Sequence, residues 1–263
     1  MSRRKQALKR FEINQIRHEL RQWYKRYVGR TLRKLERRAL EPVLKTLFGY
    51  HAIQVGTLLG SDLLSSSRIS HHVVMDPDKN EDSDSAVYAY PDALPVASDS
   101  VDLVLLPHTL EFERRPHEIL READRVLIPE GHVVIMGFNP WSLWGLVSFL
   151  LKRKNKHLPP WCGSFLTVTR IKDWLALLGF EVVEVKMMFF RPPIQQRGIM
   201  RRLLFIEKIG ERFFQKLGGV YLIVAQKRVT TLTPVKPRWR SQRSLVGKWV
   251  EQPSAQTRQN RHE

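Results

Sequence analysis

Residues able to do chemistry gather in three stretches of this 263-residue chain. The first is Gly56-Thr57-Leu58-Leu59-Gly60, which follows the mostly apolar run Ile53-Gln54-Val55. A strand that turns sharply while its backbone passes close to a ligand needs glycines, and Gly56 and Gly60 stand at the two ends of such a loop. The second is His71-His72-Val73-Val74-Met75-Asp76, an apolar run ending in a carboxylate. A carboxylate at the end of a strand can accept two hydrogen bonds from ribose hydroxyls, as in dinucleotide-binding folds. His71 and His72 are adjacent, so on a strand they face opposite sides and cannot chelate one metal together. The third is Leu106-Pro107-His108. His108 is the one side chain there whose ordinary pKa suits proton transfer, and a pocket-lining histidine is the competing reading. The single cysteine, Cys162, excludes an internal disulfide and a Cys-rich metal framework, and it suits a reducing cytoplasm.

The elements that must position these groups are legible around them. Val101 to Leu106 is a short apolar run without alternation, the pattern of a strand covered on both faces. Pro116 suits a first helical turn. Behind it Ile119, Leu120, Ala123, Val126 and Leu127 share one helical face, with Glu118, Arg121, Glu122 and Arg125 on the other. Pro129-Glu130-Gly131 is expected to stop that helix, and His132 to Phe138 to form a second buried strand. A helix between two buried strands is a crossover, so the strands should be parallel. Strands are also expected over residues 51–55, 71–76, 86–90 and 219–228, with a last helix-to-strand unit over 167–190 in which Gly179 ends the helix. Residues 11–48 carry apolar positions at steps of three and four, predicting helix that Gly29 and Pro42 could divide.

The order Ala93-Leu94-Pro95, Ser100-Val101-Asp102-Leu103-Val104, Leu120-Arg121-Glu122, Arg125-Val126-Leu127 and Pro129-Glu130-Gly131 spans some forty residues. It resembles the hallmark of the class I S-adenosylmethionine-dependent methyltransferases, in particular the type 11 group. The resemblance implies an α/β, Rossmann-like fold with a seven-stranded, mostly parallel sheet and helices on both faces, its last two strands forming a hairpin. It implies S-adenosyl-L-methionine as cofactor and methyl transfer to an acceptor the motifs do not identify. Carried over by position, the cofactor-binding residues are Gly56, Thr57, Gly60, Asp76, Ala93 and Leu106, and the catalytic candidate is His108; the adenine-contacting acid is not at its usual place, where Asp92 could substitute or Tyr90 could stack against the base, and no metal ligand is implied. The chain departs from the family pattern at Leu58, where a middle glycine is usual, and at Gln54, where an acid is usual. It departs again at Phe112, where a later histidine is usual.

Charge is segregated. Residues 1–38 hold fourteen Lys/Arg against three acids and residues 227–263 nine against two, so the ends carry +11 and +7 of the net +18 and the body is neutral. This predicts a basic helical extension over 1–38, a methyltransferase-like domain over 39–228 and a basic disordered tail over 229–263. Such ends attract nucleic acid or other polyanions, or serve only solubility. No apolar run is long enough for a membrane span, and the basic N-terminus lacks the apolar segment of a secretory signal. Leu143 to Leu151 reads as an apolar helix capped by Ser142 and followed by Lys152, Arg153, Lys154 and Lys156. It could cover the active site, or lie on a membrane surface or on RNA. Two functions fit: a methyltransferase with an unidentified acceptor, or a methyltransferase fold without catalysis that binds nucleic acid or a partner through its ends.

Overall fold

In a computed structural model of the chain, residues 15–60, 63–77, 87–153, 163–192 and 214–228 are described, with Trp161 and single positions between 192 and 214. Contacts divide the chain into Met1–Val229 and Thr230–Glu263; the second unit lies outside the described residues, as do the acidic linker over 79–85 and the first fourteen residues.

The strands are β1 (His51–Val55), β2 (His71–Asp76), β3 (Val87–Tyr88), β4 (Val101–Pro107), β5 (Leu127–Phe138), β6 (Phe180–Met188) and β7 (Val220–Lys227). They form one sheet in the order β3-β2-β1-β4-β5-β7-β6. β1 to β5 pair in parallel, and β7 runs antiparallel between β5 and β6. This is the seven-stranded, mostly parallel sheet expected from the resemblance. Successive residues of the central strands are all buried because both faces are covered. Ile53, Val104, Ile135 and Ile223 meet α3 (Pro116–Val126) and α5 (Val168–Leu177). Ala52, Leu103, Val134 and Leu222 share a core with α1 (residues 15–24) and α2 (Tyr27–Thr46). Trp144, from α4 (Leu143–Arg153), joins the same core.

Two local expectations are corrected. The helical stretch over 11–48 divides at Lys25-Arg26, and Gly29 and Pro42 both lie inside α2. Gly29 serves close approach: a Cβ there would sit 2.5 Å from the Trp23 carbonyl oxygen at the end of α1. Pro129-Glu130-Gly131 does not stop α3. The helix ends at Val126 because Leu127 already pairs with Val101, and the three residues make an irregularity in β5, with Glu130 at φ 65°. After the glycine loop the described residues hold a short 3-10 turn, Leu63–Ser66. The division drawn at residue 38 falls inside α2, whose Val28, Leu32, Leu40 and Leu44 are buried together with Leu20, Trp23 and Tyr24 of α1.

Candidate active site

β1 delivers its loop at the carboxyl end of the sheet, where ligands bind in open α/β folds. Gly56 and Gly60 have φ of 101° and 111°, a region glycine enters at little cost. Gln54 is buried in β1, and its Nε2 donates to the Gly56 carbonyl at 2.8 Å and the Gly60 carbonyl at 2.6 Å. A carboxylate could not make these bonds, so the amide at the usual acid position is what ties the two ends of this loop together. Gln54 Oε1 is buried without a hydrogen-bond partner among the described residues. Leu58 and Leu59 turn into the core shared with α2, which accounts for bulk where the pattern has glycine.

Asp76, at the end of β2, stands against this loop. Its carboxylate accepts the Thr57 backbone N–H at 2.8 Å and the Thr57 hydroxyl, and it pairs with the Arg21 guanidinium of α1 at 3.2 Å. Thr109 clasps the loop from the other side: its hydroxyl donates to the Val55 carbonyl at 2.7 Å and lies 3.3 Å from where a Cβ on Gly56 would be. Gly56, Thr57, Gly60 and Asp76 are thus brought together. Arg21 and Thr109 were not anticipated, and nothing local in the sequence marks them; both act across long chain separations.

His108 follows β4 at φ 52°, a strained conformation for a non-glycine residue. It is fully buried. Nε2 lies 2.8 Å from Glu36 of α2, and Nδ1 lies 3.3 Å from the Glu111 carboxylate. Burial by itself would lower its pKa, but the carboxylates of Glu111 and Glu36 outweigh that and raise it to about 10. The imidazolium therefore donates from both nitrogens and keeps none free to accept a proton near neutrality. Glu111 also accepts the Phe138 backbone N–H, which carries the network to the end of β5. Tyr24, its hydroxyl buried and unpartnered among the described residues, is pushed well above its ordinary pKa by burial and then by Glu36 and Glu111. Arg17 of α1 pairs with Glu113 in the same β4-to-α3 loop.

Of the other expected cofactor residues, Leu106 lies one position past the Gln54–Leu105 pair of β1 and β4, and Asp92 and Ala93 follow β3. Asp92 and Ala93 are exposed in the turn after β3, and the Leu106 side chain is buried in the α3-side core. That turn is held by two residues of α3 which the sequence placed on a solvent face. Glu122 accepts the Leu94 N–H at 2.7 Å, and Arg125 donates to the Leu94 and Val96 carbonyls while pairing with Glu122. His71 and His72 are exposed, and the Nδ1 atoms of His51 and His71 lie 3.0 Å apart across β1 and β2. Among the described residues no group of side chains could hold a metal ion.

Beside the His108 loop opens a cavity of about 400 Å³, lined among others by Ile16, Leu110, Arg114, His117, Arg170 and Trp174. The Arg170 guanidinium lies 4.9 Å over the Trp174 ring. The lining also includes Glu111 and Glu113, so the wall carries charges of both signs.

Comparison with known proteins agrees with this arrangement. Residues 61–135 match the family described as "Methyltransferase domain". The uncharacterized protein YafS of Escherichia coli (strain K12) is 36% identical over 211 residues, covering 79% of this chain and 82% of that protein. Among solved structures, a SAM-dependent methyltransferase from Archaeoglobus fulgidus superposes with a TM-score of 0.51 at 20% identity, covering 74% of this chain and 94% of that one. The methyltransferase in a complex with the Haloferax volcanii Trm112 methyltransferase activator gives 0.53 at 16% identity, covering 81% and 98%. At such identities the structural likeness speaks for the fold.

Proposed function

We propose, for a chain that belongs to the class I S-adenosylmethionine-dependent methyltransferases and to the family of Escherichia coli YafS, that the loop Gly56–Gly60 and Asp76 hold the cofactor and that the cavity beside His108 admits the acceptor. The observation that carries this reading is the loop itself, two glycines at positive φ tied by Gln54 and facing the Asp76 carboxylate. The residues fit the cofactor. Asp76 offers carboxylate oxygens for ribose hydroxyls, and Gln54 Oε1 offers a buried acceptor with no other use. S-adenosylmethionine brings a methyl group already activated on a sulfonium centre, so the protein has chiefly to align an acceptor and exclude water.

The chain's own residues divide that work. Thr57 and Arg21 hold the Asp76 carboxylate in place, and ribose hydroxyls would take over the contacts of Arg21. His108 acts as a positioning residue. As an imidazolium between Glu36 and Glu111 it fixes α2 against the end of β4, and no step asks it to take a proton.

Calorimetry on the full chain with S-adenosylmethionine and with its demethylated product tests the assignment. Both should bind. Asp76→Ala should weaken them by about 1–3 kcal/mol through lost charge-assisted hydrogen bonds, while Arg170→Ala leaves them unchanged. Absence of heat with a folded protein would remove the cofactor site, and an unchanged affinity in Asp76→Ala would move the ribose contact elsewhere.

A further inference from the structure

Helix α4 is built inside out. Its one uncharged polar side chain, Ser148, faces inward and donates to the Trp161 carbonyl at 3.1 Å, next to the fully buried Trp144. Its outward face carries Leu143, Leu146, Phe149 and Leu150, with Trp141 just before it, and these five side chains are 50%, 54%, 62%, 49% and 72% exposed in that order. Helices on a water-facing surface are polar on the outside. The reading of this segment as a simple cover over the active site leaves such a face unexplained, because covering needs only the inner side. The apolar surface continues nearby. Asn139, two residues before Trp141, donates to the carbonyls of Lys216 and Gly218, and this tethers a turn whose Phe214 and Leu217 are about half exposed.

We propose that α4 and Trp141 dock on an anionic lipid bilayer surface, the helix lying in the plane of the headgroups. Charge selects this occupant. The helix ends in Lys152-Arg153, and Lys154 and Lys156 follow in the sequence, so the apolar segment runs directly into four cations, the pattern of an interfacial helix. A second copy of the chain would bring the same run of Lys152, Arg153, Lys154 and Lys156, and like charges oppose self-association through this segment. RNA would use the cations and stack on aromatic rings, but it has no use for three exposed leucines. Among the described residues no helix is long and apolar enough to cross a membrane, so the contact is peripheral. Because β5 runs into this segment through Phe138 and Asn139, docking would bring the carboxyl end of that strand to the lipid surface. The inference does not depend on the cofactor assignment.

The test is co-sedimentation of the full chain with vesicles of phosphatidylcholine alone and of equal parts phosphatidylcholine and phosphatidylglycerol. Tryptophan fluorescence provides a second readout. The expected result is binding to the mixed vesicles, stronger than to phosphatidylcholine, with a blue shift. The double variant Leu146→Gln/Phe149→Gln changes only exposed side chains, so its circular dichroism should match the parent. Its vesicle affinity should fall by about a hundredfold, as two apolar side chains lose their burial in lipid. Absence of binding by the parent overturns the proposal. Equal binding by the double variant also overturns it, because the basic ends would then be sufficient. Loss of binding to a short RNA in that variant, with vesicle binding intact, would assign the face to RNA and overturn it as well.

Discussion

Under α3 and α5 the sheet is packed by Ile119, Leu120, Ala123, Ile171 and Leu175, all apolar. Under α1 and α2 a comparable apolar core also encloses Glu36 and His108, with Glu111, Arg17 and Asp76 buried at its upper rim. The difference separates two jobs. Apolar surfaces associate without direction, so the α3 face holds the sheet together and tolerates rearrangement. Buried charges are costly unless each meets its partner, so the α1–α2 face fixes where the helices sit over the carboxyl end of the strands. The residues that could hold a cofactor lie against that second face, and Arg21 reaches Asp76 from it.

Breaking the ionic face should have the largest effect. His108→Ala leaves Glu36 and Glu111 buried without their shared cation, and chemical denaturation should report a loss of about 3–5 kcal/mol. A loss below about 1 kcal/mol, no more than a surface pair contributes, would mean that the two faces do not differ in kind. The second test is pH. The folded pKa of His108 is raised from 6.5 to about 10, so its contribution is fully present below 6.5 and is lost as pH rises through 10. The denaturation midpoint of the parent should therefore fall steadily over that window. His108→Ala should be flatter there, and an equal slope in both proteins would assign the dependence to other groups. The smallest effect belongs to the other face. Glu122→Ala removes the acceptor of the Leu94 N–H and the partner of Arg125, both near the surface, and should cost about 1 kcal/mol with the pH slope unchanged. A cost matching that of His108→Ala would make the α3 face equally dependent on charge.

The strands and α3 were legible because their signals are local. Val101 to Leu106 lacks alternation since both faces of β4 are buried, and Pro116 opens a helix since its missing N–H has no partner to lose there. Gly56, Gly60 and Asp76 were legible for the same reason: backbone conformation and a strand end are written into neighbouring residues. The end of α3 was misplaced because strand pairing at Leu127 overrode the stop signal three residues further on. The roles of Glu122 and Arg125 were missed because a charged helical face looks solvated until a loop is seen to lie across it.

By itself, the sequence determined the α/β order, the sheet's membership, the glycine loop and the segregation of charge to the two ends. These rest on periodicity, turn chemistry and counting, which need no knowledge of distant neighbours. Only the tertiary structure decided that His108 is an imidazolium locked between two carboxylates, that Arg21 holds Asp76, and that α4 turns its leucines outward. Glu36 and His108 are 72 residues apart, and Arg21 and Asp76 are 55 apart. A pKa, an ion pair and an exposed face depend on what the fold brings within a few ångströms, and no local pattern encodes that separation closing.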